Sequence, residues 1–335
     1  MKFITFGEIM MRLSTDPSDT FRTADQMNVN IGGSEMNVAM SLAASGVDTA
    51  MISSLPDNAF GRRTLSLLKS NDVETRHIRT GGQRMGTYFL EQGFNIRSSS
   101  VIYDRKYSSF EQSTVEDYDF KTAFEGYDWF HFSGITPALN TELQKVLLRA
   151  VETAKEMGLK ISADLNFRGN LWSFDEARST MPQFIKHCDV IFGYEPLELK
   201  EDGKEVKDGL ERNPDADTLA PILEKLHTAY DIEYISFTQR TVVHSNRNII
   251  KGMLSSKDGI RETDAYEVEI LDRIGTGDAF TAGVIHGLMN GLGEQDILQN
   301  ALGNMLYKHT ISGDFATEDI SEMADVLDAT REVKR

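Results

Sequence analysis

The chain of 335 residues carries one cysteine, so it can form no internal disulfide. That residue, Cys188, stands just ahead of the apolar run Val190-Ile191-Phe192, where a buried structural thiol is expected rather than a nucleophile. Long apolar runs are also missing: none approaches the roughly 20 residues that a membrane helix needs. Met1-Lys2 leads directly into the strand-like Phe3-Ile4-Thr5-Phe6, too short an apolar stretch for a secretory signal, so a cytoplasmic protein is expected. Basic charge is scarce, with 35 Lys and Arg against 52 Asp and Glu and a formal net charge of -17, which argues against a nucleic-acid surface. A chain this acidic binds an acidic small molecule only where a few arginines reverse the local potential. No internal repeat or low-complexity tract is present, and no Gly-x-Gly-x-x-Gly follows the first strand, where Phe6-Gly7-Glu8-Ile9 stands instead, which disfavours a nicotinamide dehydrogenase.

What is present is an alternation. Phe3 to Phe6, Thr49 to Ser53, Trp129 to Ser133, Lys160 to Ala163, Asp189 to Phe192 and Tyr234 to Phe237 read as short buried strands. Helical patterns lie between and after them, at Ser34 to Ala44, Phe60 to Ser70, Thr141 to Met157, Leu219 to Tyr230, Ala279 to Asn290 and Asp296 to His309. The expectation is an α/β fold, a mostly parallel sheet covered by helices on both faces, with ligands at the carboxyl ends of its strands. Residues 81–110 break the rhythm and read as strands and turns without a helix. Together with Met27 to Ile31 they predict a small separate β-sheet placed to cover a site as a lid, or else an ordinary edge hairpin. Lys200 to Asp217, charged and punctuated by Gly203, Gly209 and Pro214, reads as an exposed connection.

Asp272-Arg273-Ile274-Gly275-Thr276-Gly277-Asp278-Ala279-Phe280 carries the most chemistry. Glycines at 275 and 277 permit a tight turn with unobstructed NH groups, and the helix that follows adds unpaired NH groups and its positive dipole end. A phosphate fits such a cradle, and Asp278 stands beside it as a base for a substrate hydroxyl. Taken alone, the tetrapeptide is equally readable as a helix entry with an acidic first turn. A second element, Gly32-Gly33-Ser34-Glu35-Met36-Asn37-Val38-Ala39, also turns from an extended segment into a helix.

The two elements together resemble the two signatures of the ribokinase-like sugar kinases, the PfkB family, over nearly the whole chain. Phe132-Ser133-Gly134-Ile135-Thr136-Pro137-Ala138-Leu139, Asp164-Leu165-Asn166-Phe167-Arg168 with Leu171-Trp172-Ser173, and Gly313-Asp314-Phe315 are similar to the branch acting on 2-keto-3-deoxygluconate. The resemblance implies a single ribokinase-like domain over residues 1–335, with a mostly parallel central sheet and lid strands from about 10–32 and 81–110. It implies ATP-dependent phosphorylation of a primary hydroxyl on a six-carbon keto-deoxy acid, with Mg2+ beside the nucleotide. It also implies a homodimer built on the β lid, with larger assemblies open.

By the same resemblance, Asp278 is the base and the backbone of Gly275, Thr276, Gly277 and Asp278 the anion hole. Gly33, Asn37, Tyr88, Tyr103 and Ile135 meet the sugar, and Arg105 and Arg168 hold its carboxylate. Asn166, Thr238, Arg240, Gly275, Gly277 and Asn304 fall on the nucleotide side, and Glu198 on the magnesium, through water. Two departures from the family pattern stand out. Thr238-Gln239-Arg240-Thr241-Val242-Val243 occupies the place of a Lys-x-Gly-x-x-Gly turn, with Arg240 as a replacement charge, and Glu195-Pro196-Leu197-Glu198 replaces Asn-x-x-Glu. A fructokinase or other hexose kinase, and a sugar-binding regulator without turnover, are the competing readings.

Overall fold

The computed structural model describes residues 1–328. Its large sheet is built on parallel strands whose central members are buried along their length, because helices cover both faces. β1 (Phe3–Phe6), β4 (Thr49–Leu55) and β9 (Trp129–Ser133) are buried at every position. With β5 (Val73–Glu74), β10 (Lys160–Asp164), β11 (Val190–Phe192) and β14 (Tyr234–His244) they give the order β14–β11–β10–β9–β1–β4–β5, all parallel, and β6 (Ile78–Thr80) also pairs with β4. Alternate residues feed two cores. Ile4, Phe6, Phe130 and Phe132 face one cluster with Leu143, Val146, Leu147 and Ala150. Phe3, Met51 and Trp129 face the other, with Met36, Val38, Ala282 and Ile285.

The covering helices show how the sequence signals act. Thr141–Glu156 buries Leu143, Val146, Leu147, Ala150, Val151 and Ala154, a stripe at helical spacing, and Asn140 caps its start by accepting from the Leu143 NH at 2.8 Å. Thr276–Met289 is buried nearly all round. Glycines let it approach Glu294–His309: a Cβ at Gly283 would stand 2.4 Å from Ala301 Cα, and one at Gly287 2.6 Å from Ile297 Cγ1. Among the described residues no helix is long and apolar enough to cross a membrane.

Two parts differ from the sequence reading. Tyr234 to Phe237 is only the start of β14, which runs to His244 and pairs antiparallel with β15 (Arg247–Ser256). β16 (Gly259–Glu262) and β17 (Tyr266–Glu269) then pair with β15, so residues 238–243, expected to stand where a turn would be, are strand. Lys200 to Asp217 is not uniformly exposed. It contains the hairpin β12 (Lys200–Glu201) and β13 (Lys204–Glu205), and Lys207 buries its ammonium between Glu195 and Glu205.

A separate four-stranded sheet has the order β3–β2–β7–β8, from β2 (Met10–Ser14), β3 (Asn28–Gly32), β7 (Gly86–Glu91) and β8 (Ser100–Asp104). Side chains alternate between its faces. Met10, Tyr88, Leu90, Val101, Tyr103 and Arg105 line a cavity of about 560 Å³ between this sheet and the carboxyl ends of the large one.

Candidate active site

Both glycine elements open into this cavity because each brings backbone where a side chain would collide. A Cβ at Gly33 would stand 2.3 Å from the Glu8 carbonyl oxygen. Gly275, at φ 75° in the left-handed region, would place one 1.6 Å from the Asp314 carbonyl oxygen. At Gly277 a Cβ would meet open space. The helix that begins at Thr276 therefore points its first NH groups into the cavity, with Asp278 on its first turn.

The other glycine element holds the Asp278 carboxylate. Ser34 Oγ donates to Oδ1 at 2.8 Å and Asn37 Nδ2 to Oδ2 at 2.7 Å, so residues 241 and 244 positions apart fix both oxygens. Asn166, held at φ 37°, donates from Nδ2 to Ser34 Oγ at 3.1 Å and from its backbone NH to Asp164 Oδ1 at 3.0 Å. Burial raises Asp278 to about 6, against the opposing pull of Asn37, Ser34 and the Arg168 charge. Burial and the Asp278 charge raise Asp164 to about 7, and burial raises Glu35 to about 7 although Ser133 donates to it.

Gly33, Asn37, Tyr88, Tyr103, Arg105, Ile135, Asn166, Arg168, Arg240, Gly275, Thr276, Gly277 and Asp278 all line the one cavity. Several of them already have protein partners. The Asn37 amide donates to Asp278, and the Tyr88 hydroxyl donates to Asp314 Oδ2 at 3.2 Å. Arg105 is buried with Nε and Nη2 on Glu8, whose other oxygen accepts from Ser108, so much of its charge is already spent. Arg168 is exposed at the rim, and among the described residues neither it, Arg240 nor Arg273 forms an ion pair. Arg240 also keeps a buried Nε without a hydrogen-bond partner.

Three expected site residues lie elsewhere. Thr238 sits inside β14, opposite Gly252, and does not line the cavity. Glu198 pairs with Lys200 at the β12 hairpin, away from the cavity. Asn304 is fully buried and donates to the Ala279 carbonyl at 2.8 Å, tying one helix to the start of another. Sequence reading missed Ser34 and Asp164 as site residues, although both stand in the quoted motifs. It missed Asp272, which opens the Gly275–Asp278 motif, and Glu8, which carries no local signal beyond an acidic residue after a glycine. No group of three or more His, Cys, Asp or Glu able to hold a metal occurs among the described residues.

Residues 2–208 match the family described as pfkB family carbohydrate kinase. The chain is 31% identical to the 2-dehydro-3-deoxygalactonokinase of Haloferax volcanii, over 97% of this chain and 96% of that protein. It is 26% identical to the 2-dehydro-3-deoxygluconokinase of Bacillus subtilis, over 90% of this chain and 87% of that one. The crystal structure of the 2-dehydro-3-deoxygluconokinase of Thermotoga maritima superposes with a TM-score of 0.89 at 35% identity, covering 97% of this chain and 99% of that one.

Proposed function

Because this chain belongs to the pfkB family of carbohydrate kinases and has its ribokinase-like fold, we propose that it phosphorylates 2-keto-3-deoxygluconate with ATP, giving the 6-phosphate. One observation carries the reading: Asp278 stands on the first turn of a helix opened by Gly275 and Gly277, with both carboxylate oxygens held from the other glycine element. Asp278 takes the proton of the attacking hydroxyl. Ser34 and Asn37 keep the carboxylate aimed while the Gly275–Asp278 NH groups meet charge on the transferring group. The donor phosphates suit the open space at Gly277 and the partnerless buried Nε of Arg240, which stands where relatives use a lysine turn. Mg2+, when bound, would neutralise phosphate charge, and among the described residues no group of three or more His, Cys, Asp or Glu is placed to hold it.

The acid end of the substrate belongs with Arg168, a guanidinium at the rim without a carboxylate partner, and Arg105 contributes through what Glu8 leaves of its field. Tyr103, 38% exposed, covers the sugar while Ile135 and Gly33 line its path. The name of the Haloferax relative makes the galactonate epimer the second reading. ADP release with ATP, Mg2+ and each of the two keto-deoxy acids tests the proposal. Turnover is expected with at least one acid and a loss of about 10²-fold or more in Asp278→Asn. Near-normal turnover of that variant removes Asp278 as base, and no ADP release with either acid removes the substrate assignment.

A further inference from the structure

We propose that Arg12 is a positioning residue that couples the four-stranded sheet to the anion hole, a role that rests on the phosphoryl-transfer reading above. Arg12 lies on β2, the strand flanked by β3 and β7, and its side chain is 1% exposed. All three guanidinium nitrogens are engaged. Nε donates to Asp314 Oδ1 at 2.9 Å, Nη2 lies 2.7 Å from the same oxygen and 2.8 Å from Asp272 Oδ2, and Nη1 donates to Asp272 Oδ1 at 3.3 Å.

Both acidic residues then meet the backbone that forms the hole, Asp272 by hydrogen bonds and Asp314 by packing. Asp272 accepts from the NH of Ile274 at 3.0 Å and from the NH of Gly313 at 3.2 Å, which shapes the turn into Gly275. Asp314 wedges between the two glycine elements: a Cβ at Gly32 would stand 2.5 Å from its Oδ2, and one at Gly275 1.6 Å from its carbonyl oxygen. Its Oδ2 accepts from Tyr88, the residue in register with Arg12 on β7 and a lining residue of the cavity. Tyr88 is in turn in register with Tyr103 on β8. A row across the sheet therefore runs from two aromatic rings facing the sugar, through Asp314 and Arg12, to the turn that carries the phosphate-binding NH groups.

Stability alone is a weak reason for such a cluster, since burying two carboxylates with one guanidinium gains little over apolar packing. Fixed geometry is what it supplies. A guanidinium fork satisfies two carboxylates at set angles, which an ammonium cannot do. The sheet that closes over the sugar thereby sets the turn that receives the phosphoryl group.

The test compares wild type, Arg12→Lys, Tyr88→Phe and the double variant by turnover, KM for ATP and sugar, thermal midpoint and amide hydrogen exchange. Arg12→Lys is expected to lower kcat by about 10- to 100-fold with either KM changed less than about 3-fold, as a displaced hole predicts. The double variant is expected to lose little beyond the worse single one, because both break one chain of contacts. In Arg12→Lys the amides of Ile274 and Gly313 should exchange faster while those of β2 and β7 stay protected. A lowered thermal midpoint with unchanged kcat and unchanged exchange at Ile274 and Gly313 overturns the proposal, as do losses that multiply in the double variant. If wild type phosphorylates neither keto-deoxy acid, the substrate assignment fails, and the exchange pattern still decides whether Arg12 sets the turn.

Discussion

Asp278 illustrates how much of a residue's chemistry lies in its neighbours. A carboxyl at the start of a helix is ordinary, but burial lifts this one to about 6, and Ser34, Asn37 and Arg168 prevent a larger rise. Turnover should therefore climb as pH rises through about 6 and level off above it. Asn37→Ala removes a donor that favours the charged form, so a pH–rate profile of that variant should show its acid limb moved to higher pH. The same groups act in the opposite sense on stability. A carboxyl whose folded value lies above its unfolded one favours the folded state most below the unfolded value near 4, and that advantage is lost as pH rises through the folded value. With Asp278 at about 6 and Asp164 and Glu35 at about 7, urea midpoints of the ligand-free protein should fall between pH 5 and about 8 while activity rises. Arg105 offers a second test. Arg105→Ala leaves Glu8 buried without its partner and is expected to cost about 3–5 kcal/mol of stability, measurable by denaturant unfolding, whereas Arg168→Ala at the exposed rim should be nearly neutral to stability.

At the scale of elements, the site depends on where one helix begins. Thr276–Met289 is pinned by glycine contacts with Glu294–His309 and by Asn304 on the Ala279 carbonyl. Gly283→Val forces a side chain against Ala301 and should destabilise by about 1–3 kcal/mol, with kcat falling as well because the first turn shifts. A calorimetric midpoint and a turnover assay on the folded variant check both. Elements were legible in the sequence where their signal is local. Thr141 to Met157 declares itself by a stripe and a cap, and β1, β4 and β9 by short runs rich in apolar and β-forming residues. β15 to β17 were not read, because antiparallel strands on the end of a parallel sheet alternate polar and apolar residues without a strong run. Glycine motifs revealed Asp278, but the bonds of Ser34 and Asn37 to it span more than 240 positions, and no local pattern encodes them. Asn304 and Glu198 illustrate the converse: a position matching a motif does not itself give the partners of its side chain, here the Ala279 carbonyl and Lys200.

At the scale of the whole molecule, the acidic chain brings Arg168, Arg240 and Arg273 to one cavity that carboxylates also line, and because none of the three forms an ion pair among the described residues, their charge is available to the anionic substrates of the proposed reaction. The outer face of the small sheet carries an apolar row, Val29, Leu13, Phe89 and Ile102, at matching register, with Ile102 53% exposed. A second copy of the chain is the proposed occupant, so sedimentation velocity should show a dimer that Ile102→Asp shifts toward monomer, and a wild-type monomer at micromolar concentration contradicts it. The unpaired arginines at the cavity lead to the most direct test of the substrate assignment, kcat/KM for 2-keto-3-deoxygluconate against fructose, measured side by side in wild type and Arg168→Ala. The keto-deoxy acid should be preferred in wild type, and the variant should lose about 10-fold or more on the acid while fructose is little changed. Preference for fructose, with both substrates affected alike by Arg168→Ala, would contradict a site built for a sugar acid.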